Sequence, residues 1–230
     1  MIIINHPSPN HGPRREGAAI DMLVLHYTDM ATPEEALERL CDPAAEVSAH
    51  YLVAEDGRIW NLVDETRRAW HAGVSYWAGE RDVNARSIGI ELANPGHRLG
   101  YIGFPVAQME ALEALALEIL SRHPIPPHRV LGHSDVSPAR KRDPGELFDW
   151  RRLAAAGIGV WVEVDEARAD DPVADWDAFQ RNLVTFGYEI EAASDVVRAF
   201  HRHFRPSALE ATADAVSADL VTGLIAAMGR

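Results

Sequence analysis

The chain has 230 residues, enough for one large domain or a medium one with a small companion, and at 47% apolar it carries an ordinary globular core. Its formal net charge of −13 argues against nucleic acid and anionic membrane surfaces as partners. The single cysteine, Cys41, excludes an internal disulfide, and no stretch reaches the roughly 18 apolar residues of a membrane span.

The opening residues, M-I-I-I-N-H-P-S-P-N, have neither a basic start nor an apolar run of signal length, so a cytoplasmic location is the simplest expectation, with the periplasm as the alternative. Residues 5–17, rich in Pro, Gly, Asn and His, read as an irregular arm. M-L-V-L-H-Y at 22–27 predicts a buried strand ending on His26. Thr32-Pro33-Glu34-Glu35 opens a helix, with Thr32 as cap, Pro33 in the first turn and Glu35 closing a capping box. Ala36, Leu37 and Leu40 form its apolar side, and Cys41 at its end reads as a small buried hydrophobe.

S-A-H-Y-L-V at 48–53 and I-W-N-L at 59–62, joined by Asp56-Gly57, predict a hairpin. Residues 67–86, with little periodicity, read as a long surface loop lining a groove. S-I-G-I-E-L at 87–92 alternates with period two, placing Ile88, Ile90 and Leu92 on one face and Ser87, Gly89 and Glu91 on the other. Alone, Glu91 there describes an ordinary solvated carboxylate. Residues 105–122 form the clearest helix: Met109, Leu112, Ala116 and Ile119 recur at helical spacing, while Glu110, Glu113 and Glu118 face water.

Residues 129–150 carry the densest chemistry. Val130 and Leu131 end a short apolar run, Gly132 turns the backbone, and His133 follows; Asp143 stands ten residues on, with Lys141 two before it, between Pro138 and Pro144. A short helix over 149–156 turns Trp150 and Leu153 inward. Residues 163–175 hold six carboxylates and one arginine, a solvated linker and the best domain boundary. Beyond it, 176–187, 195–204 and 210–228 read as three helices, enough for a small bundle docked on the first domain.

Taken together, two strand-end histidines, His26 and His133, and Asp143 can converge on one zinc ion, because neighbouring strands lie about 4.8 Å apart. Two histidines and a carboxylate leave one position open, as in catalytic rather than structural sites, and water held there has a pKa near about 7. Glu91 can move that water's proton to a leaving amine, and Lys141 can stabilise an oxyanion. These roles fit amide hydrolysis.

The ordered blocks L-V-L-H-Y-T, V-S-A-H-Y-L-V, W-H-A-G, S-I-G-I-E-L, G-H-S-D and A-R-K-R-D-P-G resemble the zinc-dependent N-acetylmuramoyl-L-alanine amidases of the amidase type 2 family, related to peptidoglycan recognition proteins, from about Ile20 to Trp150. The resemblance implies an α/β fold, a mixed central β-sheet flanked by helices, with zinc in a groove at one edge. It implies His26, His133 and Asp143 as zinc ligands, Glu91 as acid/base and Lys141 as transition-state stabiliser. His50 is then expected behind the ligands or in the groove, Trp70 and His71 as groove walls, and Asn84 and Arg140 on polar groups of the substrate, an Arg suiting a peptide carboxylate. Tyr51 reads as packing. His6, His11, His97, His123, His128, His201 and His203 read as surface residues.

The tail, F-Q-R-N-L-V-T-F-G-Y with D-V-V-R-A-F-H-R-H-F-R-P, resembles the three-helix peptidoglycan-binding module, except that His201 stands where that module carries Gln. The departure leaves two expectations for the tail, glycan binding or buttressing. The expected organisation is a catalytic domain over 1–162, a linker over 163–175 and a helical domain over 176–230. The expected activity is cleavage of the bond between N-acetylmuramic acid, in its 1,6-anhydro form, and L-alanine of muropeptides by a monomer, in peptidoglycan recycling or turnover. The alternative is a non-catalytic peptidoglycan-recognition protein.

Overall fold

The computed structural model describes residues 2–229; Met1 and Arg230, the outer bounds of the two expected domains, lie outside the described residues. The strands are β1 (Ile3–Asn5), β2 (His11–Pro13), β3 (Met22–Tyr27), β4 (Tyr51–Val53), β5 (Ile59–Asn61), β6 (Arg67–Ala69), β7 (Ser87–Leu92) and β8 (Val130–Gly132). The helices are α1 (Pro33–Cys41), α2 (Val83–Arg86), α3 (Gly96–Leu99), α4 (Val106–Arg122), α5 (His133–Val136), α6 (Trp150–Ala155), α7 (Trp176–Phe186), α8 (Ala193–Phe204) and α9 (Ala215–Met228). Among the described residues no helix is long and apolar enough to cross a membrane.

Six strands form one mixed sheet in the order β1-β5-β4-β7-β3-β8, antiparallel only between β4 and β5. Period-two alternation sorts the side chains. Leu23, Leu25, Ile88, Ile90 and Leu92 share the face that packs against Met109, Leu112, Leu115 and Ile119 of α4. The opposite face carries two apolar blocks. Leu52, Trp60 and Leu62 lie under Ala36 and Leu40 of α1, whose start is capped by Thr32 Oγ1 accepting from the Glu35 N–H. Met22, Val24 and Leu131 lie under Leu183, Phe200 and Leu220 of the C-terminal helices. Beyond both blocks, the C-terminal ends of the parallel strands β7, β3 and β8 open on the same side, where ligands bind in open α/β sheets.

Several expectations change. Residues 67–86 are not a surface loop. They contain β6, which pairs with β2 of the supposedly irregular arm, and α2, and they bury Trp77 completely against Phe186 and Tyr188. The periodicity is weak because these side chains pack against segments distant in the chain rather than along one helix or strand face. The 48–53 strand shortens to Tyr51–Val53, and Cys41 is only half-buried at the edge of the α1 cluster. Glu113 does not face open water but pairs with Arg152 at 2.5 Å. His201 and His203 are buried in α8, not on the surface, and His97 is half-buried. The carboxylates of 163–175 are exposed as expected, yet Val162, Val164 and Val173 pack onto the core that Met22, Val24 and Leu131 share with the C-terminal helices. That core is continuous across the linker.

Candidate metal centre and active site

The sheet register brings the chemistry together. His26 lies on β3 directly beside Glu91 on β7, and β3 pairs Leu25 with Gly132 on β8, so His133 leaves β8 next to His26. The Asp143 carbonyl accepts the Ser134 N–H at 2.9 Å, which pins the 133 turn to the 143 loop. His26 Nδ1, His133 Nδ1 and Asp143 Oδ2 then lie 2.9, 3.0 and 3.0 Å from one another. All three residues are buried, and together they form a group able to hold a metal ion.

Hydrogen bonding decides which ring nitrogens carry protons. The Ser87 hydroxyl donates to the Val83 carbonyl at 2.7 Å, so it accepts from His71 Nε2 at 3.1 Å. His71 Nδ1 is therefore an acceptor, and at 3.0 Å it takes the proton on His26 Nε2. His133 Nε2 donates to the Ala72 carbonyl at 3.1 Å. Rings anchored in this way turn both Nδ1 atoms and a carboxylate oxygen to one point. A cation there would be held by all three atoms, and two imidazoles with one carboxylate suit a divalent transition metal. Burial, then the neighbouring His133, pushes the pKa of His26 down to about 4, and burial with the adjoining His26 holds His71 well below its usual value, so both rings are neutral near pH 7. Burial raises the Asp143 carboxyl, but His133 and His26 outweigh it and hold the group far below the carboxylate range.

Gly89, between Ser87 and Glu91 on the same face, makes room for this chain of bonds. A Cβ there would lie 2.5 Å from His71 Cγ. A glycine inside a strand was the available signal for such a close approach.

His133 and Asp143 line a groove of about 530 Å³, and His26 is buried beside them. Glu91 lines it, although its Oε2 is sealed from solvent and has no hydrogen-bond partner. Burial, then the Asp143 charge, raises the Glu91 pKa well above the ordinary value, against the pull of Lys141. Lys141 also lines the groove, as do Trp70, His71 and Arg140, whose guanidinium additionally bonds the Val74 carbonyl.

His50 and Asn84 do not reach the groove. His50 is fully buried. It accepts the Gly89 N–H at Nδ1, 2.9 Å away, and donates from Nε2 to the Arg67 carbonyl at 3.1 Å. Asn84 Oδ1 accepts the N–H groups of His71 and Ala72 at 3.1 and 2.8 Å, holding the W-H-A-G loop. Both are scaffold because buried polar groups must be satisfied locally.

Sequence reasoning missed Arg14, in the arm, whose guanidinium donates to the carbonyls of Glu65, Asn84, Ala85 and Ser87. It also missed the far groove wall. There Tyr27 bonds His97 at 2.8 Å, His97 stacks on Tyr101, and Arg39, Arg98 and Arg142 add positive charge. Nothing in the local sequence distinguishes those arginines from solvated ones.

A mixed sheet whose parallel strand ends carry two histidines that meet a loop aspartate, with a buried carboxyl and a lysine beside them, has the layout of a hydrolytic enzyme. Residues 16–146 match the N-acetylmuramoyl-L-alanine amidase family. The chain is 36% identical to the N-acetylmuramoyl-L-alanine amidase AmiD of Escherichia coli K12 over 235 residues, covering 92% of this chain and 84% of that protein. It is 35% identical to the 1,6-anhydro-N-acetylmuramyl-L-alanine amidase AmpD of Haemophilus influenzae, covering 65% of this chain and 89% of that one. Among solved structures, E. coli AmiD in complex with anhydro-N-acetylmuramic acid-L-Ala-D-gamma-Glu-L-Lys superposes with a TM-score of 0.82, covering 94% of this chain and 93% of that one at 36% identity. AmpDh3 of Pseudomonas aeruginosa also gives 0.82, over 94% and 96% at 33% identity. This chain belongs to the N-acetylmuramoyl-L-alanine amidase family.

Proposed function

We propose that the chain uses one zinc ion to hydrolyse the amide between N-acetylmuramic acid, in its 1,6-anhydro form, and L-alanine of muropeptides, in peptidoglycan recycling or turnover. The observation that carries this is the convergence of His26 Nδ1, His133 Nδ1 and Asp143 Oδ2 within about 3 Å of one another, where His133 and Asp143 line a groove beside Glu91. The substrate assignment is supported by the ligands of similar proteins: anhydro-N-acetylmuramic acid-L-Ala-D-gamma-Glu-L-Lys in AmiD, and an anhydromuramic pentapeptide in AmpDh3. Charge supports it too. In a chain of net charge −13, Arg39, Arg140, Lys141 and Arg142 line the groove beside an Arg98 paired with Asp29, which suits the carboxylates of a peptide stem.

His26, His133 and Asp143 would hold the zinc, which when bound supplies Lewis acidity and a water ionisable near neutral pH. Glu91 accepts one proton of the attacking water and returns it to the departing alanine nitrogen as the C–N bond breaks, leaving a carboxylic acid on the lactyl group that gives its proton to the freed amine. Its raised proton affinity lets it keep that proton between the two steps. Lys141 faces the developing oxyanion, and Trp70 and Arg140 orient the substrate.

Two measurements test the proposal. Metal analysis of gently purified protein is expected to find about one zinc per chain; far less favours the non-catalytic recognition protein instead. Mass spectrometry of products from an anhydro-muropeptide is expected to show the free peptide beginning at L-alanine. Cleavage of intact sacculi with no action on that compound would overturn the anhydro assignment.

A further inference from the structure

We propose that the three C-terminal helices serve the metal centre as a positioning element, in which Tyr188 and His203 act on His133 through Asp135. The inference rests on the reading of His26, His133 and Asp143 as metal ligands.

Asp135 follows His133 by two residues, and its side chain is wholly buried. Its Oδ2 accepts the Gly132 N–H at 2.7 Å and His203 Nδ1 at 2.7 Å, while its Oδ1 accepts the Tyr188 hydroxyl at 2.6 Å. A carboxyl group is tolerated so far from water only when its oxygens are satisfied. Two of its three donors come from beyond residue 146, where the family match ends. The third is the backbone N–H that enters the turn bearing His133.

Gly132 is also confined sterically. A Cβ there would lie 2.8 Å from Pro144 Cδ and 3.3 Å from Trp150 Cζ2. The His203 ring stacks on Trp150 with centroids 3.7 Å apart. One histidine of α8 therefore bears on the His133 turn twice, by a hydrogen bond through Asp135 and by a stacked ring through Trp150. Pro144 immediately follows Asp143, so the same wedge borders the second ligand. Nothing comparable points to glycan on the exposed side of these helices, where the shallow hollow beside Gln180 and Arg181 holds no buried polar side chain.

Tyr188→Phe removes one hydroxyl, and His203→Phe removes the donor while keeping a ring over Trp150. Zinc affinity of the full chain is measured by competition with a chromophoric chelator, alongside the melting temperature with and without zinc. Each variant is expected to bind zinc about tenfold more weakly, the double variant more weakly still, with a smaller zinc-induced rise in melting temperature. Leu224→Ala, fully buried in α9 of the same core, is the control. It lowers both melting temperatures and leaves zinc affinity unchanged.

Double-variant affinity within about twofold of the parent would overturn the proposal, and should that protein fail to fold, the single variants carry the same comparison. A parent protein that binds no zinc would overturn the ligand reading and this inference with it, which separates that failure from one confined to the variants.

Discussion

Glu91 shows how much one position depends on its surroundings. Alternation along 87–92 puts it on the polar face of a strand, where a solvated carboxylate is the ordinary outcome. Register beside His26 instead seals its Oε2 and raises its proton affinity. Glu91→Gln is expected to keep zinc and lose about 10²- to 10⁴-fold in turnover, read by metal content and steady-state rates; parent-like cleavage would remove the residue from the reaction. His26 and His50 make a second, independent prediction. Burial, with the neighbouring His133 for one and Arg14 for the other, lowers their pKa values to about 4 and about 3. Unfolded, both titrate near about 6.5. As pH falls below that value the unfolded chain binds more protons than the folded one. Each group then withdraws about 1.4 kcal/mol of stability per pH unit, down to its own folded pKa. Thermal melts between pH 7 and 4 should drop steeply, and a flat profile would mean that neither ring is held neutral.

At the scale of elements, β7 is the organising piece. It lays Ile88, Ile90 and Leu92 against α4 and turns Ser87, Gly89 and Glu91 to the site. Gly89 contributes by lacking a side chain. Gly89→Ala brings a methyl to 2.5 Å from the His71 ring, which is tied at both ends to His26 and Ser87. Such overpacking costs about 1–3 kcal/mol. Displacing a ring that orients a ligand is expected to weaken zinc binding by about 10- to 100-fold. A chelator titration checks this, and unchanged affinity would show that His71 has slack. Strands β3, β4, β5, β7 and β8, with α1, α4 and α6, were legible because their apolar residues follow period two or 3.6 and their ends carry caps and turns; β1, β2 and β6 were not. The 67–86 segment was not, because Trp77 and Val83 find partners in helices about a hundred residues away.

At the scale of the molecule, the acidic run at 163–175 looks like a boundary in composition, and its charges are indeed solvated. The apolar core nonetheless runs beneath it, joining Met22, Val24 and Trp77 to Phe200 and Leu220. Two bodies sharing a core of this kind are expected to unfold together. Calorimetry should give a single transition with matching calorimetric and van't Hoff enthalpies, and two resolved peaks would restore independent domains. Removing zinc with a chelator should lower that transition as a whole, since binding to the folded form alone stabilises the entire cooperative unit.

By itself the sequence determined the identities and order of His26, Glu91, His133, Lys141 and Asp143, the periodic elements that bear them, and the family. Local pattern suffices there, because side-chain alternation, helix caps and short motifs are properties of neighbours in the chain. Only the tertiary structure decided that two imidazole nitrogens and a carboxylate oxygen meet within about 3 Å, that His50 and Asn84 are scaffold rather than groove, and that His203 is buried against Asp135. Burial and hydrogen-bond direction are set by groups far apart in sequence, and a histidine written into a helix carries no mark of the carboxyl it will meet.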